Sequence, residues 1–202
     1  PEIGKTEGLS PEAILDLGRR RAVGRVLAVW NGDTLLLRTA AGETMKITLM
    51  TPPPAVGEHI EAVGYTETDL FQINLTSAIW RKTRAVRIPS ENATDISADD
   101  LFLDRRKNRK INSLLHGNTV RIVGIVRDPA ADRSMRQGFT LKSGGYSVPV
   151  DCSTILSAID NLESGSRVSV TGVCIIETET WNRHSTLPRT RGLFISVRSP
   201  ED

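Results

Sequence analysis

A chain of 202 residues with a formal net charge of +2, 39% hydrophobic and 25% charged residues has ordinary globular composition. Those totals exclude a disordered chain and a strongly basic nucleic-acid protein, and an aromatic content of 4% counts against an extended platform for stacking bases. No apolar run approaches the roughly 20 residues of a membrane span, and no charged-then-apolar leader opens the sequence. Beginning at Pro1, the sequence reads as an excised piece whose cellular address would lie outside it.

In chain order, residues 10–17 predict a short helix, with Ser10 as cap, Pro11 at the tolerated first position, Glu12 in the first turn and Gly18 as the stop. Arg19, Arg20 and Arg21 then read as cations complementing the helix C-terminus, with a phosphate- or headgroup-binding patch as the alternative. Strands are expected at 22–30, 34–39, 44–49, 60–66 and 73–80, with Asn31-Gly32-Asp33 supplying a hairpin turn and Thr51-Pro52-Pro53-Pro54 ending the third. The stretch 83–95 is polar, carries Pro89 and shows no full strand pattern. It is the expected boundary, giving units at 1–86 and 96–202 around a linker at 87–95.

A second helix start follows at Ile96-Ser97-Ala98-Asp99-Asp100, and Arg105 to Lys110 after it repeats the basic helix end. Five more strands are expected at 119–127, 139–142, 146–150, 167–176 and 193–198. Pro149 cannot donate to a ladder, so its strand should lie at an edge or carry a bulge there. Ile155, Ile159 and Leu162 at helical spacing predict a helix over 153–162, between the third and fourth strands of this half; the first half has only its three prolines at that place.

The two halves repeat one unit. Leu162-Glu163-Ser164-Gly165-Ser166-Arg167-Val168-Ser169-Val170-Thr171-Gly172-Val173-Cys174 sets two glycines seven residues apart around an alternating run, and Gly57 and Gly64 frame a twin, Val56 to Gly64. The first glycine of each pair suits the turn and the second a barrel corner. Val23-Gly24-Arg25-Val26 likewise matches Val123-Gly124-Ile125-Val126. Five short strands per half predict an all-β fold of two tandem OB-like Greek-key barrels, each preceded by a short helix.

OB barrels bind through the second and third strands and the loops after the first and fourth. The long loop after the fourth strand of the second half therefore supplies the candidates Trp181, Asn182, Arg183, His184, Arg189 and Arg191, an aromatic among cations. Trp30 is a further stacking candidate, although Trp30 and Trp80 at strand ends fit core or rim packing. No catalytic constellation is present: there is no phosphate-binding glycine loop, no G-x-S-x-G elbow and no paired-histidine motif. Cys152 and Cys174 read as buried free thiols, with a disulfide as the alternative; with His59, His116 and His184 scattered, no metal site and no cofactor are expected. Asn74-Leu75-Thr76 and Asn92-Ala93-Thr94 fit the glycosylation pattern by composition alone.

The run Leu162 to Cys174, its variable polar loop and the closing Gly192-Leu193-Phe194-Ile195-Ser196-Val197-Arg198 resemble the extracytoplasmic sensor region of bacterial two-component histidine kinases, many of them hybrid kinases. The resemblance covers both halves in architecture and is carried in motif from Asn118 onward. It implies a non-catalytic, periplasmic sensing or interaction region, anchored by a membrane span outside this sequence, with kinase activity elsewhere on the chain. The expected mechanism is that an unidentified small ligand or protein partner, seen at the second-half loop or at the cleft between barrels, shifts their relative orientation; a homodimer stays open. The basic stretch Arg105 to Lys110 departs from the family pattern and keeps an alternative, a cytoplasmic OB binder of single-stranded nucleic acid or another polyanion.

Overall fold

The computed structural model describes residues 10, 13–14, 16–85, 87–88, 92–102, 111–127, 137–155, 159, 162–181, 189–199 and 201–202. The chain divides into two compact units, Pro1–Ser90 with Thr178–Arg191, and Glu91–Glu177 with Gly192–Asp202.

The first barrel is built from β1 (Arg19–Trp30), β2 (Thr34–Thr39), β3 (Thr44–Leu49), β4 (His59–Thr68) and β5 (Ile73–Lys82), closed in the order β1-β2-β3-β5-β4. Alternation places Val26, Leu35, Leu37, Met45, Ile47, Leu49, Ile60, Ala62 and Leu75 in one buried core. Closure depends on β1 serving two neighbours. Its first half pairs with β4 from Arg19 to Arg25 and its second half with β2 from Gly24 to Trp30, with a bulge between Val26 and Ala28. At Gly24, where both pairings overlap, a Cβ would collide with the Arg38 carbonyl, so only glycine lets the strands approach. Asn31 and Gly32 adopt φ of 56° and 77°, as the hairpin turn requires. Val56 and Trp80 pack against the core near the three prolines, and Trp80 Nε1 donates to the Pro52 carbonyl at 2.8 Å.

The second barrel uses β7 (Thr119–Arg127), β8 (Gly138–Ser143), β9 (Tyr146–Asp151), β10 (Arg167–Thr178) and β11 (Thr190–Ser196), in the order β10-β11-β9-β8-β7 with β10 returning to β7. The duplication extends to individual hydrogen bonds. Val26 N donates to Glu58 O and Gly57 N to Val26 O at 2.9 Å each; Val126 N to Ser166 O and Gly165 N to Val126 O repeat both bonds at 2.9 Å. The turn glycines Gly57 and Gly165 have φ of +89° and +94°, and the corner glycines face backbone, a Cβ on Gly64 falling 2.8 Å from Thr76 O and one on Gly172 2.5 Å from Ser196 O. The tandem barrels read from the glycine spacing are thus present, with the strand order of an OB barrel.

Several local expectations are corrected. The second preceding helix is a single 3-10 turn, Ala98–Leu101. Ser97 N and Oγ both donate to Asp100 Oδ2 at 2.7 Å, so the capping chemistry is real. The turn stops because Phe102 extends, bridges to Ile111 and stacks on Tyr146 with ring centroids 4.7 Å apart. Residues 103–110, including the basic stretch, lie outside the described residues. Of the first helix only one turn is described: Ala13 N donates to Ser10 Oγ at 3.2 Å and Ile14 N to Ser10 O at 3.0 Å. Arg19 to Arg21 do not end a helix; they open β1, where Arg19 lies over the Tyr65 ring at 5.0 Å and Arg21 reaches Glu61 at 3.5 Å. The helix expected over 153–162 lies partly outside the described residues; at its start Ile155 N donates to Cys152 O, a turn. A two-residue strand, β6 (Thr94–Asp95), pairs in parallel with β7 inside the expected linker. Pro149 sits where β9 is open on one side, because its pairing with β11 begins only at Val150.

Candidate functional site

The structure separates the residues expected to bind together. Trp30 is 4% exposed and pairs across β1–β2 with Thr34. It packs and offers no ring face to a ligand. Trp181 is half-buried, and its backbone N–H donates to the Thr68 carbonyl at the end of β4 at 2.8 Å. Arg189 and Arg191 are exposed; Glu179 N donates to Arg189 O at 2.9 Å, and Arg191 Nε lies 3.9 Å from Glu179 Oε1. Asn182, Arg183 and His184 lie outside the described residues.

Composition did not single out the more prominent surface, the outer face of β7, β8 and β10. Along β7, Val120, Ile122 and Val126 point inward and are buried, which turns Arg121, Val123, Ile125 and Arg127 outward. Val123 is 45% exposed and Ile125 42%, aliphatic side chains where a solvent face normally holds polar ones. Register places Arg167 of β10 and Lys142 of β8 on either side of Ile125, Ser169 beside Val123 and Thr140 beside Arg127. With neighbouring strands about 4.8 Å apart, Arg167, Ile125 and Lys142 form a short row across the sheet. Around Val123 and Ile125, from Arg167 to Thr171 on β10 and from Thr140 to Lys142 on β8, no outward residue is acidic or aromatic; the half-exposed Glu177 lies at the far end of β10. Arg121 pairs with Asp95 at 3.1 Å, but among the described residues no carboxylate pairs with Arg127, Lys142 or Arg167. The sequence signal was present in β7, whose apolar residues occupy both parities from Val120 to Val126.

The first barrel presents the equivalent positions differently. Arg25 stands between His59 and Arg38, as Ile125 stands between Arg167 and Lys142. Arg38 is only 7% exposed; burial first, then the charge of Arg25, holds its pKa below the usual guanidinium value. Leu27, Ala28 and Leu36 of β1 and β2, absent from the barrel core, are also buried. Cations elsewhere on this barrel meet carboxylates: Arg81 and Arg21 on Glu61, Lys82 on Glu58, and Lys46 near Glu67 and Asp69.

Cys152 and Cys174 are free and buried, and burial pushes both thiols up to about 12, so they are protonated and poor nucleophiles. No cluster of three metal-ligating side chains lies among the described residues, and no helix there is long and apolar enough to cross a membrane. Asn74 is fully buried and donates to Asp69 Oδ2 at 2.8 Å, so its triplet cannot accept a glycan in the folded state. No protein-family model matches the chain, and no curated protein does.

Proposed function

We propose that this chain is a non-catalytic interaction region of a membrane-anchored signalling protein, in which the second barrel recognises a partner. The observation that supports it most is the outer face of β7, β8 and β10, where Val123 and Ile125 stand exposed among Arg127, Lys142 and Arg167, with which no carboxylate among the described residues pairs. Apolar centres ringed by charge suit recognition, since the centre supplies burial and the ring supplies orientation. The sensor setting, extracytoplasmic and upstream of a kinase core, is supported by the resemblance of Leu162 to Cys174 and of the final strand. A partner acts as a signal there only if it prefers one of two states of the region.

The setting is tested by reading the coding sequence on both sides of this chain. A signal peptide upstream with a membrane span and kinase core downstream is the expected result; finding neither contradicts the sensor setting.

The same three cations favour a second reading, a binder of single-stranded nucleic acid. That reading lacks an outward stacking ring on β7, β8 or β10, Phe139 of β8 being buried. Oligonucleotide binding that falls steeply with added salt would support it.

A further inference from the structure

We infer that the outer face of β7, β8 and β10 docks an extended acidic segment of a partner protein, an aliphatic side chain seated on Val123 and Ile125 between carboxylates held by Arg127, Lys142 and Arg167. The assignment rests on the reading of the chain as a non-catalytic interaction region.

The choice of occupant follows from three features. First, the ionisable side chains around Val123 and Ile125 are cationic, Glu177 lying at the far end of β10. Arg127, Lys142 and Arg167 have no described carboxylate partner, whereas Arg121 of the same strand is already occupied by Asp95. Second, its centre is aliphatic. An exposed Val and Ile side by side on one strand gain by being covered, and a ligand made only of charge would leave them wet. Third, the spacing fits an extended chain crossing the strands. Residues i and i+2 of such a chain stand about 6.6 Å apart on one side. Glutamate, then an aliphatic residue, then glutamate at alternate positions spans the row from Arg167 over Ile125 to Lys142, the long charged side chains taking up the difference. Nucleic acid would bring the charge but finds no outward ring on these strands.

The test uses the full chain and three fluorescent probes in an anisotropy titration: a peptide repeating glutamate, serine, leucine and serine; the same peptide with serine replacing leucine; and oligothymidylate. The leucine peptide is expected to bind most tightly, with affinity that weakens as salt is raised. Lys142→Glu and Arg167→Glu should each weaken it by about tenfold or more, and Ile125→Ser by about tenfold. All three positions point outward, and circular dichroism checks that each variant stays folded. Failure of the leucine peptide to bind, equal binding of both peptides, or binding insensitive to all three substitutions overturns the assignment. Tighter binding of oligothymidylate overturns it in favour of nucleic acid. These outcomes leave the sensor setting to be judged separately, from the flanking coding sequence.

Discussion

The two barrels share a strand order and present different side chains in one matching row. In the first, His59, Arg25 and Arg38 cross β4, β1 and β2; in the second, Arg167, Ile125 and Lys142 cross β10, β7 and β8 at the matching register. The glycines that permit closure are kept in both halves, as are the hydrogen bonds at the turns before β4 and β10. Outward residues have diverged. Around the first row Arg38 is buried, and carboxylates answer Arg21, Lys46, Arg81 and Lys82; in the second row the apolar centre is exposed, and among the described residues no carboxylate pairs with its cations. Closure constrains what faces inward or meets another backbone, and leaves the outer face free to specialise.

The strongest way to break this comparison is at the glycines. Gly24→Ala drives a methyl into the Arg38 backbone and should cost about 3 kcal/mol, near the upper end of ordinary overpacking. Gly64→Ala and Gly172→Ala should each cost roughly 1–3 kcal/mol, read from urea unfolding. If one corner tolerates the methyl and its twin does not, the corners are not equivalent.

Next in size is a pH effect confined to the first barrel. Burial, with Asp69 adding to it and Lys46 opposing, raises the Glu67 carboxyl above its ordinary value of 4.5. The folded state then holds that proton more tightly than the unfolded chain, so its contribution is full below about pH 4.5 and is lost as pH climbs through the raised value. Glu67→Gln should flatten that decline in thermal melts from pH 4 upward. Glu58 and Glu61 act in the opposite sense. The hydrogen bond from Lys82 lowers one and that from Arg81 the other, so their contributions fade as pH falls below the ordinary carboxylate range. Both are half-buried and held in ion pairs with exposed lysine or arginine heads, which solvent screens, so the dominant pH signature of the trio should be that of Glu67.

A smaller effect sharpens the contrast between rows. Arg25→Ile gives the first barrel the residue found at the matching place in the second and removes a like charge opposite buried Arg38. Melting should rise by the equivalent of less than about 1 kcal/mol; a loss of stability would show that Arg25 holds the face together. The smallest effect is none: neither Cys152 nor Cys174 should react with a thiol reagent at pH 8 until the chain is unfolded, because both are buried and protonated.

Ten of the strands were legible because alternation and turn glycines report directly on the sheet. Residues 34–39 and 119–127 match β2 and β7 end to end. β6 was not, since two residues have no period to read. The Ser97 and Asp100 pair signals the start of a turn equally well for a helix and for one 3-10 turn; what ended it, the pairing of Phe102 with distant Ile111 and Tyr146, is not local. The place of Arg19 to Arg21 is not local either, their partners Tyr65 and Glu61 lying forty or more residues away in sequence. The outer face escaped notice because a run apolar at both parities looks like a strand buried on both sides, and only burial distinguishes Ile125 from Ile122.

The most direct test of the central claim is amide chemical-shift mapping with the leucine-containing acidic peptide titrated into the full chain. Shifts concentrated on Val123, Ile125, Arg127, Lys142 and Arg167, with His59, Arg25 and Arg38 unmoved, are the predicted result. Shifts centred on the first barrel's row, or none on β7, would contradict it.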